Sequence, residues 1–119
     1  MRKRIDRLGM ESLEQIKLGK KACKSGVTLL IDSCPQLRCI EMDQECFMSG
    51  TSIGIFKTPK LETISGKGGN FTKIDNVILH GTPLLTFVFK VKTRKSPTLD
   101  LKDVGPNTQK SVLMWLGKI

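Results

Sequence analysis

The chain has few of the residues that enzymes and base-stacking proteins use. It contains no tyrosine, one tryptophan and one histidine among its 119 residues. Two of its five phenylalanines, Phe87 and Phe89, fall in an apolar stretch typical of a core strand, so few aromatic rings remain on which nucleic-acid bases could stack. Any contact with nucleic acid is therefore expected to depend on charge.

Long apolar runs are also missing. No window approaches the ~20 apolar residues that span a membrane as a helix. The basic start Met1-Arg2-Lys3-Arg4 is not followed by the apolar segment of a secretory signal. We therefore expect no transmembrane segment and an intracellular protein, cytoplasmic or nuclear and not secreted.

His80 is the only histidine. A general base needs an orienting partner and a nucleophile within hydrogen-bond reach, and no motif around His80 would place either. We expect a structural histidine beside a turn, no catalytic residues and a protein that is not an enzyme. A pair between His80 and a cysteine distant in sequence stays open at this stage.

Four cysteines fall within one third of the chain, at Cys23, Cys34, Cys39 and Cys46. Structural zinc sites usually take two ligands from one tight turn, as in Cys-x-x-Cys, whereas ten, four and six residues separate these cysteines. A zinc or cysteine-dependent module is thus the third hypothesis, with His80 as a further ligand. The main expectation is no metal, no cofactor and reduced thiols that pack as small apolar residues.

The segment 65–73 is rich in glycine and lysine but lacks the Gly-x-x-x-x-Gly-Lys-Ser/Thr pattern of a nucleotide-binding loop. We expect a hairpin tip with solvated Lys67 and Lys73. A contact between its backbone amides and nucleic-acid phosphate needs no motif and stays open.

Positive charge is what the chain has in excess. Lysine and arginine number 20 against 11 acidic residues, which gives a formal net charge of +9 and favours anionic partners. The charge is uneven: eight basic and three acidic residues precede Gly26, and seven basic and two acidic residues follow Phe89. Between Gly26 and Cys46, four acidic residues accompany one arginine, Arg38.

The stretch Leu84–Lys95 predicts the central β-strand. Its alternation puts apolar side chains such as Phe87 on one face and basic side chains such as Lys92 on the other. We expect this strand to form a hairpin with Asp75–His80. A helix is expected to begin near Ser12 and end at Ser25-Gly26, and the run Val112–Leu116 favours a last strand over a helix.

The resulting fold class is α+β, mainly β: an antiparallel sheet with one basic N-terminal helix. Residues 1–9 are expected to be a flexible basic arm and residues 10–119 a single globular domain. No repeat of fixed period is recognised, so a solenoid is not expected.

The basic clusters predict a surface for nucleic acid, RNA or DNA, or for another anionic surface. Lys90, Lys92 and Arg94 would project from one strand face at about 6.6 Å intervals, close to the phosphate spacing of a nucleic-acid strand. The predicted anion-binding residues are Arg2, Lys3, Arg4, Arg7, Lys17, Lys20, Lys21, Lys24, Lys67, Lys73, Lys90, Lys92, Arg94 and Lys95. Their expected function is electrostatic binding with little sequence selectivity.

The segment Thr86–Val104 combines an apolar strand with a basic end, then Ser96-Pro97 and Asp103-Val104. It resembles the strand that opens the globular domain of rhabdovirus matrix proteins. This resemblance implies the alternative function, a small matrix-like viral accessory module that forms homo-oligomers or contacts other proteins. The central strand or the run Val112–Leu116 would then pair with another copy at an exposed sheet edge.

Overall fold

The fold is given by a computed structural model, which describes residues 4–6, 12–21, 28–68, 70–89 and 97–117. The strands in these ranges are β1 (Arg4–Asp6), β2 (Gln15–Leu18), β3 (Thr28–Asp32), β4 (Cys39–Met42), β5 (Ser52–Phe56), β6 (Thr63–Gly66), β7 (Asn76–Thr82), β8 (Thr86–Phe89) and β9 (Thr98–Val104). One helix follows, α1 (Pro106–Trp115).

Each strand pairs with the next strand but one along the chain. The first sheet has the order β1-β3-β5-β7-β9 and the second the order β2-β4-β6-β8, and every pairing in the described residues is parallel. Thr28 is in register with Ser52, and Ser52 with Asn76, so one circuit of both sheets advances the chain by 24 positions. The chain is therefore a parallel β-solenoid, and we call each such circuit a coil.

The core follows from this register. Side chains alternate between the two faces of a strand, so residues one coil apart point the same way and lie in adjacent strands. On the second sheet Ile16, Ile40 and Ile64 form one inward row. Phe87 is the last member of this row, and it follows Ile64 by one position less than the other members follow each other. The matching buried rows of the first sheet are Leu29, Ile53, Val77 and Ile31, Ile55, Leu79.

A residue with positive φ ends the first-sheet strand of each coil. Ser33, Lys57 and Gly81 occupy the same coil position, with φ of 57°, 51° and 81°. Glycine adopts this left-handed conformation freely, whereas Ser33 and Lys57 do so at a cost of about 1 kcal/mol each. The backbone N–H of Lys57 donates to the His80 carbonyl (2.9 Å), so the ladder between coils continues around the corner.

The corner that follows contains a Pro-x-Leu sequence in three successive coils. Its leucines, Leu37, Leu61 and Leu85, are fully buried and occupy the same position of each coil. Each leucine N–H donates to the carbonyl three residues earlier, at 3.2 to 3.4 Å. The proline therefore starts the turn, and the leucine anchors it to the core.

A third, turn-rich side closes each coil. Phe47 and Phe71 stack there, with ring centroids 5.2 Å apart and planes 7° from parallel. The Cys46 thiol donates to the Gly19 carbonyl (3.0 Å), and the Asn70 amide donates to the Asp43 carbonyl (3.1 Å). The same contact thus recurs one coil later with a different side chain.

Helix α1 covers the open edge of β8. The Phe87 N–H, which has no further strand to bond in the described chain, donates to Ser111 Oγ (2.9 Å). Thr108 Oγ1 donates to the Leu85 carbonyl (2.5 Å). Trp115 stacks on Phe89 with centroids 4.7 Å apart. Terminal repeats of solenoids commonly need such a cap, because the next coil is missing.

The predicted fold class is wrong in its sheet type. Both sheets are parallel, and the expected hairpin of Asp75–His80 with Leu84–Lys95 does not form, since β7 and β8 belong to different sheets. Pro83 and Leu85 turn the chain from one sheet to the other instead of folding it back. A solenoid had not been expected, because the repeat of the coil was not recognised.

The predicted N-terminal helix and the predicted C-terminal strand are both wrong. The segment expected to be an N-terminal helix contains β2, in which Ile16 points into the core as a strand residue. Leu13, one coil before Leu37, packs partly buried against the same core. The run Val112–Leu116, expected to be a strand, lies almost wholly in α1. Of the predicted arm, 1–9, the structure describes 4–6, which form β1.

Replacing Leu61 by alanine is expected to lower the free energy of unfolding by about 2–5 kcal/mol, because it leaves a cavity in the buried leucine row. Leu84 is 56% exposed, so Leu84→Ala should change that free energy by less than about 0.5 kcal/mol. Urea unfolding of both variants measures the difference. Equal losses of unfolding free energy in the two variants would contradict the assigned register.

Candidate nucleic-acid interface

The predicted anion-binding residues divide into three groups. Arg2, Lys3, Arg7, Lys24, Lys90, Lys92, Arg94 and Lys95 lie outside the described residues. Arg4 is placed as a backbone position of β1 in register with Thr28. Lys17, Lys20, Lys21, Lys67 and Lys73 are described and exposed. The predicted surface as a whole therefore stays a prediction, and its described part can be located.

The positive charge is distributed unequally along the sequence. The described ranges contain 11 of the 20 basic residues and 10 of the 11 acidic residues, so their charges almost balance. Most of the net charge of +9 comes from residues outside these ranges, and the sequence 90–95 holds four basic residues and no acidic one.

The described lysines near the second sheet stand opposite carboxylates. Lys17 Nζ lies 4.0 Å from Glu41 Oε2, and Lys67 Nζ lies 3.6 Å from Asp43 Oδ1. Lys17 and Glu41 are register partners on β2 and β4. All four side chains are at least 41% exposed, and such surface pairs are worth about 0–1 kcal/mol. We call these four residues the charged side.

The charged side alternates in sign from coil to coil. The backbone N–H of Lys21 donates to the Gln44 carbonyl (2.8 Å), and the N–H of Glu45 donates to the Gly68 carbonyl (3.0 Å). These bonds stack the acidic segment 43–45 between the basic residues at 20–21 and Lys67. The lysines therefore do not merge into one positive patch, because an acidic coil separates them.

An open pocket of about 210 Å³ lies on the charged side. Both ion pairs line it, together with Leu18 and Met42. A ligand here would meet two ammonium groups and two carboxylates at once. For a phosphate, this mixture is a poorer site than a purely basic pocket, since each ammonium must first leave its carboxylate.

The glycine-rich segment 65–73 is not the hairpin tip that its composition suggested. Ser65 and Gly66 belong to β6, and Asn70 is buried. A Cβ at Gly66 would lie 2.6 Å from Cε1 of Phe89, so the glycine makes room for that ring. Lys73 is exposed in the turn after Phe71, and the contact of backbone amides with phosphate stays a prediction.

A carboxylate that the sequence did not reveal lies beside His80. Its Nε2 lies 3.1 Å from Asp100 Oδ2, although the angle is not that of a directed hydrogen bond. Its ring meets Phe56 edge-on, with centroids 5.3 Å apart. Asp100 is the register partner of Ile78 and lies diagonal to His80, so only the strand register brings the two side chains close. Among the described residues no hydroxyl or thiol hydrogen-bonds the His80 ring.

The described cysteines occupy different environments. Cys34 and Cys46 are fully buried, and Cys34 donates to the Asp32 carbonyl (3.7 Å). Cys39 is half-buried on the outer face of β4, where burial raises the pKa of its thiol and the charge of Glu41 adds to the shift. The described residues contain no cluster of three or more histidine, cysteine or acidic side chains that could hold a metal ion. Cys23 lies outside them.

No protein-family model, curated protein or solved structure matches this chain. The resemblance of Thr86–Val104 to rhabdovirus matrix proteins therefore stays a prediction. In the structure this segment begins with β8 and ends with β9, which are strands of two different sheets. Within the described residues, no helix is long and apolar enough to cross a membrane.

The Cys39 thiol should require a higher pH for alkylation in the folded protein than in the unfolded protein, because its pKa is raised on folding. Timed alkylation across a pH series, followed by mass spectrometry of the Cys39 peptide, gives the midpoint, which is the pH at which the alkylation rate is half of its maximum. The same series in urea is the control. A folded midpoint at or below the unfolded one would contradict the described environment of Cys39.

Proposed function

We propose that this protein is a non-enzymatic, intracellular protein that binds nucleic acid through its phosphates. The observation that supports it most is the clustering of charge: the sequence 90–95 holds four basic residues and no acidic one, whereas Lys17 and Lys67 of the charged side each face a carboxylate. Solubility alone would be served by lysines spread over the whole surface. A strongly basic run such as Lys90–Lys95 is typical of electrostatic contact with a polyanion.

Little sequence selectivity is expected. Four of the six aromatic rings lie in the core, since Phe47, Phe71, Phe87 and Trp115 are all at most 5% exposed, and the other two are half-buried. Base stacking, which usually supplies part of the affinity for single strands, would therefore contribute little. Phosphate contacts would dominate, and affinity would follow salt concentration more than base sequence.

The charged side would have a secondary part in this function. Lys17 and Lys67 each face a carboxylate, so a phosphate gains less there than from lysines without such neighbours. Lys20 and Lys21 are exposed beside it and can add to the contact. The run Lys90–Lys95 is accordingly the main expected determinant of affinity.

A salt titration of binding to fluorescent single- and double-stranded nucleic acid tests the proposal. Affinity should fall steeply between about 50 and 200 mM salt, because bound phosphates release counterions. Lys90→Glu/Lys92→Glu/Arg94→Glu should abolish most of the binding and flatten the salt dependence.

The matched control is Lys57→Glu/Lys60→Glu/Lys110→Glu, which makes the same change in net charge at exposed positions outside the predicted surface. It should weaken binding far less. Equal losses of affinity in the two variants would show that net charge alone sets the affinity. They would contradict a binding site at Lys90–Lys95. No binding by the wild type at low salt would remove the proposal altogether.

Neutralising the acidic coil tests whether the charged side takes part. Glu41→Gln/Asp43→Asn frees Lys17 and Lys67, so affinity for nucleic acid should rise by up to about fivefold if these lysines contact phosphate. The same titration measures it. An unchanged affinity would exclude the charged side and leave the basic segments as the whole site.

A further inference from the structure

Strand β9 is the last strand of the first sheet, and among the described residues it pairs with β7 alone. Its inward leucines, Leu99 and Leu101, are only half-buried, whereas their register partners Val77 and Leu79 are fully buried. Helix α1 caps the neighbouring edge, that of β8, through Ser111. In the part of the chain that the structure describes, one sheet is thus capped and the other ends in a strand edge.

The hydrogen-bonding direction along β9 can be read from its first residue. The Thr98 N–H donates to the Asp75 carbonyl (2.8 Å), towards the preceding coil. Backbone groups alternate in direction along a strand, so those of Leu99 and Leu101 point away from β7. Leu101 therefore offers one donor and one acceptor on the open edge, a template for pairing with another strand.

The charges of β9 are arranged symmetrically about Leu101. Asp100 precedes it and Lys102 follows it, both on the outer face of the sheet. In an antiparallel pair of two β9 strands centred on Leu101, Asp100 of each copy lies opposite Lys102 of the other. These two pairs occupy non-hydrogen-bonded sites, where opposing side chains approach most closely.

We propose that β9 is a self-association edge, at which two copies of this chain pair antiparallel about a twofold axis at Leu101. The two Leu101 residues exchange both of their outward hydrogen bonds, and the half-buried Leu101 side chain of each copy packs beside that of the other. This inference goes beyond nucleic-acid binding and is independent of it. The central strand and the run Val112–Leu116, expected from sequence to pair, are in this structure the capped strand β8 and part of its cap.

Charge distinguishes this arrangement from its competitors. Moving the centre of the pair by one residue sets either Asp100 against Asp100 or Lys102 against Lys102. Head-to-tail stacking, which would continue the parallel register from β9 into β1 of the next copy, sets Asp6 beside Asp100. Only the pairing centred on Leu101 matches opposite charges, and it closes as a dimer instead of extending into a fibre.

The contact is short. Asp103 has a φ of 55° and ends the extended part of β9, and the twofold axis at Leu101 sets Asp103 opposite Leu99, so three residues of each copy, 100–102, can pair. The expected affinity is therefore weak, and salt lowers it further. The twofold symmetry of the dimer makes the test specific, because one charge reversal changes both of the Asp100–Lys102 pairs.

Sedimentation velocity of the full chain over a concentration series tests the proposal with three samples. Asp100→Lys and Lys102→Asp should each weaken self-association by about tenfold or more, since each variant opposes like charges in both pairs. An equimolar mixture of the two should associate at least as well as the wild type, because an all-positive edge then meets an all-negative one.

Controls separate the interface from folding and net charge. Asp100 also contacts His80, so circular dichroism must show that Asp100→Lys remains folded; Lys102→Asp leaves that contact in place. Lys110→Asp, on the exposed face of α1, should leave association unchanged. A wild type that stays monomeric at high concentration, single variants that associate normally, or a mixture that fails to associate would each overturn the proposal.

Discussion

The parallel ladder between coils, which repeats every 24 positions up to β7, is the constraint on which the rest of the structure depends. Because side chains alternate along each strand, this register brings Ile16, Ile40 and Ile64 into one buried row. It also repeats the positive φ after each first-sheet strand and the buried leucine of each corner. A coil cannot bury its apolar face alone, so each stabilises its neighbours, and the last one needs helix α1.

The same register decides what the surface can do. Segments that are basic or acidic in the sequence occupy adjacent coils of the solenoid. The acidic residues at 41–45 therefore lie between Lys17 and Lys67. The charged side is therefore mixed in sign. At the end of the stack the register leaves the β9 edge with the self-complementary pair Asp100 and Lys102.

Part of this organisation was predictable from sequence. The strands β3 and β5 fall in apolar runs of the sequence, and Pro35, Pro59 and Pro83 each lie in a turn. Strand direction was not predictable from any single run, because a short alternating strand fits a hairpin as well as a solenoid. The deciding signal was the recurrence of Pro-x-Leu at one constant interval, which is visible only when successive segments are aligned.

The site was less predictable than the strands. The ion pairs of Lys17 and Lys67, and the contact of His80 with Asp100, join different coils and follow only from the register. Helix α1 was missed because Val112, Trp115 and Leu116 fit a helix and a strand equally well; its position over β8 is settled by Ser111 and Trp115.

The most direct test of the parallel register is a methyl and amide NOE spectrum of the isotope-labelled protein. The account predicts methyl contacts from Ile40 to both Ile16 and Ile64, and amide contacts between β5 and β7 in parallel register. Close Hα–Hα contacts between the segments 75–80 and 84–89, the signature of an antiparallel hairpin, together with no contact between those isoleucines, would contradict it.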